Sequence, residues 1–217
     1  SGIYNVWGSP NALIVEAYRQ DGELIWRRDL GPYVSQHGYG GSPIRVGDAV
    51  IVFDSQDAQE LPPGVPPGHE RIVALDFQTG STLWEQQLTP TRVCYGVPCV
   101  VQMDGRQAIL NANTADGFFA LDVTSGQVLL KALPFSKRVC CSCVFNDDIF
   151  VASEGSGGGG NVVVAYDRKT NQEKFRIDKA GSYVPTTLLH NDRLFVWSDS
   201  GIVTCVDANN GETLKSK

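Results

Sequence analysis

Residues 73–84 run Val-Ala-Leu-Asp-Phe-Gln-Thr-Gly-Ser-Thr-Leu-Trp, and versions of this pattern return along the chain. The pattern is an apolar residue, Ala, an apolar residue, Asp, two variable residues, then Thr, Ser or Asn, and Gly. A bulky apolar residue comes about four positions later. Further copies lie at 119–130, 164–175 and 204–214, with a degenerate copy at 16–26. The turn position falls at Gly22, Gly80, Gly126, Asn171 and Gly211, so successive copies are 58, 46, 45 and 40 residues apart.

A period of about 40–50 residues is the length that four strands and their turns need in a β-propeller blade. The apolar runs are short, rich in Val, Ile, Phe and Tyr, and bounded by Gly, Asp, Asn and Pro, which favours strands over helices. Before each copy lies a second pattern of strand, polar turn and strand, as in residues 39–53. The sequence therefore predicts an all-β fold, a β-propeller of four-stranded antiparallel blades. We expect one propeller segment over 1–217, with a partial blade at 1–30 and whole blades at 31–86, 87–132, 133–176 and 177–217.

Each part of the pattern has a structural reason. The Asp that ends the strand can accept backbone N–H bonds in the following tight turn. Gly, or Asn171, supplies the positive φ that such a turn requires. The bulky residue on the next strand is predicted to cover the contact with the neighbouring blade. Trp26 and Trp84 are the largest residues at this position, and Leu214 stands there in the last copy.

Composition excludes several classes of partner. The net charge is −6, and the sequence has no Lys/Arg cluster of the kind that neutralises a run of phosphates, so nucleic-acid binding is not expected. No stretch approaches the roughly 18 apolar residues that span a bilayer. The first residues, from Ser1, are neither an initiator Met nor a signal peptide, so any targeting segment is out of view. The six cysteines leave the redox compartment open.

These repeats resemble the PQQ-like (pyrrolo-quinoline quinone) β-propeller repeat family over nearly the whole chain. The resemblance implies the eight-bladed propeller of quinoprotein dehydrogenases and of BamB, an outer-membrane assembly lipoprotein that shares the fold without the cofactor. Four blades and a partial one are fewer than eight. We therefore expect a segment of a larger propeller.

The resemblance also draws attention to Cys140 and Cys141. Quinoprotein alcohol dehydrogenases carry adjacent cysteines that form a disulfide ring beside the quinone, at a similar place in the blade. Adjacent residues of a strand face opposite sides, however, and a third cysteine follows at Cys143. No calcium-ligand set accompanies the pair, so we expect these residues to fill a tight inner strand.

Other candidate sites are weaker. His37, His69 and His190 are scattered over predicted loops, and no metal site is expected. The glycine-rich run 155–160 precedes a strand and not a helix, so it predicts a flexible hairpin loop and not a phosphate cradle.

One pattern points to binding. Tyr39, Tyr95 and Tyr183 each lie just before the first strand of a blade, and Arg138 takes this place in the remaining one. The first strand of a blade starts beside the central channel. These four residues could therefore form a rim that grips peptides or glycans. The alternative is that they pack between blades.

The residues show no catalytic constellation. We expect a non-catalytic scaffold without a cofactor, which binds protein partners outside the cytoplasm, in the periplasm or cell envelope. The first alternative is part of a quinoprotein dehydrogenase that uses PQQ with calcium. The second is a sensor domain of a larger signalling protein.

Overall fold

The computed structural model describes residues 2–178 and 181–217, and within them it contains strands and no helix. The strands form five antiparallel sheets, of which the first has three strands and the others four. No helix in these residues is long and apolar enough to cross a membrane. The predicted all-β fold of four-stranded propeller blades is confirmed.

The strands follow one another along the chain and are numbered in that order. The first two sheets contain β1 (Ile3–Ser9), β2 (Ala12–Tyr18), β3 (Leu24–Asp29), β4 (Ile44–Val46), β5 (Ala49–Ser55), β6 (Glu70–Asp76) and β7 (Thr82–Gln87). The third contains β8 (Cys99–Met103), β9 (Arg106–Asn113), β10 (Gly117–Asp122) and β11 (Val128–Ala132). The fourth and fifth contain β12 (Val144–Phe145), β13 (Ile149–Glu154), β14 (Val162–Asp167), β15 (Gln172–Ile177), β16 (Leu188–His190), β17 (Arg193–Trp197), β18 (Val203–Asp207) and β19 (Thr213–Ser216).

Within every sheet, strands that follow each other in the chain are hydrogen-bonded neighbours. The middle strands are the most buried: every residue of β5 and of β13 is buried, whereas every residue of β19 is exposed. Apolar residues fill both faces of these middle strands because each face meets another packed layer.

The tight turn between the third and fourth strands of a sheet has the geometry that the repeated pattern predicts. Asp76 Oδ1 accepts the backbone N–H groups of Gln78 (3.1 Å) and Thr79 (2.8 Å), and Gly80 has φ +70°. Equivalent bonds form at Asp122, Asp167 and Asp207. Asn171 takes φ +58° in place of glycine.

The bulky residue of one sheet covers the turn glycine of the next. A Cβ atom on Gly80 would lie 2.7 Å from the Trp26 ring, and Trp26 Nε1 donates to the Phe77 carbonyl at 3.0 Å. Trp84 covers Gly126 in the same way, and its Nε1 donates to the Val123 carbonyl at 2.9 Å. Glycine is therefore required at these turn positions for two reasons: a side chain would overlap the indole ring, and the backbone has positive φ. We call each such pair an anchor.

The last copy departs from the prediction. Phe175 covers Gly211, as expected, but Leu214 does not occupy the anchor position of its own sheet. The register pairs Cys205 with Lys215, just as Ala74 pairs with Trp84. The prediction took the apolar neighbour Leu214, one residue short of the four-residue count from the turn glycine, and the anchor position of the fifth sheet holds an exposed lysine.

The chain divides into two compact units, Ser1–Ile109 with Leu121–Leu129, and Leu110–Ala120 with Leu130–Lys217. In the first unit, Val15 and Ala17 of β2 pack with Val50, Val73 and other residues of the second sheet. In the second unit, the fourth and fifth sheets share a core. The predicted blade boundaries stay a prediction.

Candidate functional site

The four residues predicted to form a binding rim lie in two places. Tyr39 and Tyr95 belong to the first unit, and Arg138 and Tyr183 to the second.

In the first unit, the two tyrosines join an aromatic cluster with Tyr33. The rings of Tyr33 and Tyr39 lie edge to face with centroids 5.6 Å apart, and Tyr95 packs against Gly40. Burial raises the pKa of Tyr33 and of Tyr39 well above the ordinary value for tyrosine. All three rings pack around buried Leu13 and Val93. Their contacts are those of a packed cluster, and a rim role for Tyr39 and Tyr95 stays a prediction.

In the second unit, Arg138 and Cys140 lie close enough to the Tyr183 hydroxyl to act on its pKa in opposite directions. Burial raises the pKa of Tyr183 and of Cys140, while the bond from Tyr183 and the charge of Arg138 act on the Cys140 thiol in the opposite direction. The structure thus brings two of the predicted rim residues together with one of the two adjacent cysteines.

The neighbouring thiol contacts a different element. Cys141 is buried, and its Sγ accepts the backbone N–H of Ser153 at 3.0 Å and donates to the Ser153 carbonyl at 3.6 Å. Residues 140–143 lie outside any strand, so the predicted inner strand begins only at Val144. All six cysteines are free thiols in the structure.

Tyr183 also lines a cleft of about 390 Å³, which we call the Tyr183 cleft. Two of its walls are the connections between the second and third strands of the fourth and fifth sheets. Its polar lining includes Ser156, Asn161, Asp178, Asp199 and Ser200.

Asp199 organises this cleft. Its Oδ2 accepts the backbone N–H of Tyr183 at 2.9 Å and the Asn161 side-chain amide at 3.0 Å. Sequence reasoning missed Asp199 and Asn161 because neither lies in the repeated pattern. A signal was available: equivalent connections of successive blades emerge at the same end of their sheets, so Asn161 and Asp199 are expected to be near each other.

The glycine-rich run contributes backbone to the same cleft. Gly159 and Gly160 have positive φ values and connect two strands, which confirms the predicted hairpin loop. Lys137 Nζ donates to both of their carbonyls at 2.8 Å. The lysine holds the loop through its carbonyl oxygens.

A second polar cluster lies in the first unit, around fully buried Asp54. Its carboxylate accepts from Arg71 Nε at 2.8 Å and from Gln56 Nε2 at 2.9 Å, and His69 Nε2 lies 2.7 Å from Oδ2. Arg71 also donates to Glu85 and to the Leu30 carbonyl. Sequence reasoning placed His69 on a loop and did not find this cluster.

Buried acidic groups near these strand ends serve the backbone. Asp57 accepts the N–H groups of Gln36 and Val93, both at 2.9 Å. In the fourth sheet, Glu154 accepts the N–H groups of Ser136 (2.6 Å) and Lys137 (2.7 Å). Because both sheets use a carboxylate to fix the segment that enters them, a structural role explains these groups.

Comparison with known proteins adds the family. The sequence profile of the outer membrane protein assembly factor BamB family matches residues 4–217. The chain belongs to this family. No curated protein sequence matches it.

Solved propellers resemble this BamB-family chain in fold. BamB from Moraxella catarrhalis has a TM-score of 0.67 and 19% identity, and the match covers 99% of this chain and 60% of that one. Quinohemoprotein alcohol dehydrogenase from Comamonas testosteroni has a TM-score of 0.70 and 15% identity, covering 100% and 51%. A europium-containing methanol dehydrogenase gives 0.66 and 14%, covering 100% and 49%. The chain spans about half to three fifths of the length of these proteins, and at such identities the likeness shows the fold alone.

Proposed function

We propose that this BamB-family chain is a non-catalytic scaffold that binds an extended segment of a protein partner at the Tyr183 cleft. The observation that carries the proposal is the lining of the cleft. It combines a partly buried aromatic ring with amide, hydroxyl and carboxylate groups, which are the groups that bind a peptide backbone and its polar side chains.

The cleft is also preorganised. The Asp199 carboxylate accepts both the Tyr183 backbone N–H and the Asn161 side-chain amide, so these three residues are fixed relative to one another. Side chains that are already fixed lose little conformational entropy when a ligand binds. A volume of about 390 Å³ is at the lower end of small-molecule pockets, roughly 300–1,000 Å³, and suits a few residues of an extended chain.

The proposal includes no cofactor. No cysteine lines the cleft among the described residues, and Cys140 and Cys141 are free thiols. Among residues 2–178 and 181–217, no group of three or more His, Cys, Asp or Glu side chains could hold a metal ion. These residues do not fit a calcium-bound quinone. The similarity to alcohol dehydrogenases therefore supports the fold and not their chemistry.

A peptide selection tests the proposal. A phage-displayed library of random extended peptides is selected on the purified chain, and the affinity of a selected peptide is measured by fluorescence anisotropy. We expect Tyr183→Ala and Asp199→Ala to weaken binding at least tenfold. Asp147→Ala, in an exposed turn of the same unit, is the matched control and should bind as the unmodified chain does.

Two results would overturn the proposal. One is a selected peptide whose affinity is the same in all three variants. The other is enzymatic: after PQQ and Ca²⁺ are added, bound quinone absorbance together with dye-linked alcohol oxidation would establish the dehydrogenase alternative.

The proposed location is the periplasm or cell envelope, which rests on membership of the BamB family. Fractionation of cells that express the full open reading frame tests this. Recovery with cytoplasmic markers would contradict it.

A further inference from the structure

One wall of the Tyr183 cleft is built by the glycine-rich loop, residues 155–160. Four residues of the loop line the cleft: Ser156, Gly157, Gly159 and Gly160. Residues 157–160 are all glycine and all exposed, and we call them the glycine tip. Because the tip has no side chains, it can meet a ligand only through its peptide groups. The position of its backbone therefore determines what this wall can bind.

Both ends of the loop are fixed to neighbouring segments. At its start, the Gly155 N–H donates to the Arg138 carbonyl at 3.0 Å. At its end, Asn161 Oδ1 accepts the Ser156 backbone N–H at 3.0 Å, and the Asn161 side-chain amide donates to Asp199, also at 3.0 Å. Movement of the loop is therefore confined to the glycine tip.

The tip itself depends on a lysine from the preceding segment. In the part of the chain that the structure describes, Lys137 is the one residue outside the loop that hydrogen-bonds to the tip, through the carbonyls of Gly159 and Gly160, both at 2.8 Å. Within the loop, the Gly159 N–H donates to the Ser156 carbonyl at 3.1 Å. A Cβ atom on Gly157 or Gly159 would meet nothing within 4 Å, so no packed side chain supports the tip at these positions.

The backbone of Lys137 is held in place on both sides. Its N–H donates to Glu154 Oε2 at 2.7 Å, and its carbonyl accepts from the Thr114 hydroxyl at 3.1 Å. Glu154 is buried in the fourth sheet. The ammonium group thus reaches the tip from a fixed support, and hydrogen bonds from an ionised donor are stronger than those between neutral groups.

We propose that Lys137 is a positioning residue for the Tyr183 cleft: its ammonium group holds the glycine tip where the tip forms the wall that contacts a bound partner segment. The inference rests on the proposed function, because it assigns this wall to peptide binding. Without the lysine, four consecutive glycines would have great backbone freedom. A wall that is already ordered loses little entropy on binding, so the Lys137 contact should slow the dissociation of a bound peptide.

Backbone ¹⁵N relaxation of the chain without any ligand tests the contact. Lys137→Met keeps most of the alkyl chain and removes the ammonium group. The order parameters of the tip amides should fall from about 0.85 to below about 0.6. Lys137→Arg, whose guanidinium can donate to both carbonyls, should keep them high. Lys169→Met is the matched control: it removes an exposed ammonium of the same unit, paired with Asp148, and should leave the tip unchanged.

A pair of glycine substitutions separates the lysine contact from backbone strain. Gly159→Ala and Gly160→Ala each place a side chain at positive φ, +88° and +66° respectively. Only the Cβ atom on Gly160 would overlap Lys137 Nζ, at 2.6 Å, whereas the one on Gly159 has open space. The tip order parameters should therefore fall further in Gly160→Ala than in Gly159→Ala.

Stopped-flow fluorescence then measures the dissociation of a peptide selected on the unmodified chain. Lys137→Met should speed dissociation at least threefold, whereas Lys137→Arg and Lys169→Met should not. Unchanged tip order parameters in Lys137→Met would overturn the inference, and so would a disordered tip with an unchanged dissociation rate. The relaxation measurement needs no peptide. Its failure is therefore distinct from a failure to select any peptide, which would overturn the proposed function and with it the binding role of the wall.

Discussion

The first and fifth sheets share a backbone pattern but contribute different members of an anchor pair. The first sheet contributes the covering ring of an anchor, because Trp26 covers Gly80. Its own turn glycine, Gly22, has nothing near its Cβ position. The fifth sheet contributes the turn glycine of an anchor, because Phe175 covers Gly211. At the position that Trp26 occupies in the first sheet, the fifth sheet carries Lys215. One repeat pattern therefore produces two sheets that contribute different members of an anchor pair.

Their outward faces differ in the same way. The first sheet presents Glu16, whose carboxylate accepts from the Tyr18 hydroxyl and from Arg27. The fifth sheet presents Leu188 and Trp197. The difference lies in a few side chains, since the backbone of both sheets has the same β-bulge. It lies near the end of β2, at Ala17/Tyr18, and near the end of β18, at Cys205/Val206.

The largest expected effect separates the two anchor positions. Trp26→Ala removes a buried indole ring and its hydrogen bond to Phe77, and should lower the free energy of unfolding by about 3–5 kcal/mol. Lys215→Ala, at the equivalent position of the fifth sheet, should change it little. Urea denaturation followed by circular dichroism measures both. Equal losses in the two variants would contradict the anchor assignment.

The turn glycines give the next effect. Gly22→Ala adds a side chain at a position with positive φ and open space, and should lower the free energy of unfolding by about 1–2 kcal/mol. Gly211→Ala adds an overlap with the Phe175 ring, because the new Cβ would lie 2.6 Å from it. We expect Gly211→Ala to lower the free energy of unfolding by about 1–3 kcal/mol more than Gly22→Ala does. The same denaturation experiment measures the pair, and a Gly22 variant as damaging as the Gly211 variant would show that the ring is not the cause.

Glu16→Val tests the difference between the faces. Val73 occupies the equivalent position in the second sheet, so the substitution gives the first sheet an ordinary apolar blade face. We expect little change in stability. Urea denaturation measures this change, and a loss of stability comparable to that of Trp26→Ala would contradict the expectation.

The smallest expected effect concerns the tight turn at Asp76 in the second sheet. Hydrogen bonds from the Thr79 hydroxyl and backbone N–H hold the pKa of Asp76 below its ordinary value. The stabilisation is therefore complete above the unfolded-state pKa, about 3.9, and is lost as pH falls through the folded-state pKa. Asp76→Ala should lower the melting temperature at pH 7 by more than it does at pH 2–3. A pH-independent difference would contradict this account.

Local pattern predicted much of the fold because its causes are local. Asp76 and Gly80 form their turn within five residues, so spacing alone identifies it. The anchor at Trp26 was predictable as well, since a repeated unit presents the same residue to each neighbour. Lys215 was missed because the prediction sought an apolar residue about four positions after the glycine and took Leu214. The count of four that places Trp26 and Trp84 leads from Gly211 to Lys215.

The candidate site depended on contacts that spacing does not encode. Asp199 meets Asn161 because two connections lie at the same end of adjacent sheets, and Asp54 meets His69 across a long insertion. The partner of a buried polar group is decided by which groups reach it in the folded chain. The sequence pattern identified Tyr183 and Arg138 as candidates but not Asp199, which accepts the Tyr183 backbone N–H.

The anchors also determine how such a chain can be duplicated or recombined. Trp26 and Gly80 belong to consecutive sheets and must be inherited together, as must Trp84 and Gly126. A crossover in the segment between two sheets would pair a tryptophan with a foreign turn. A crossover inside the tight turn, after the glycine, keeps each indole with the turn that accommodates it, so the natural module of exchange begins and ends within a sheet.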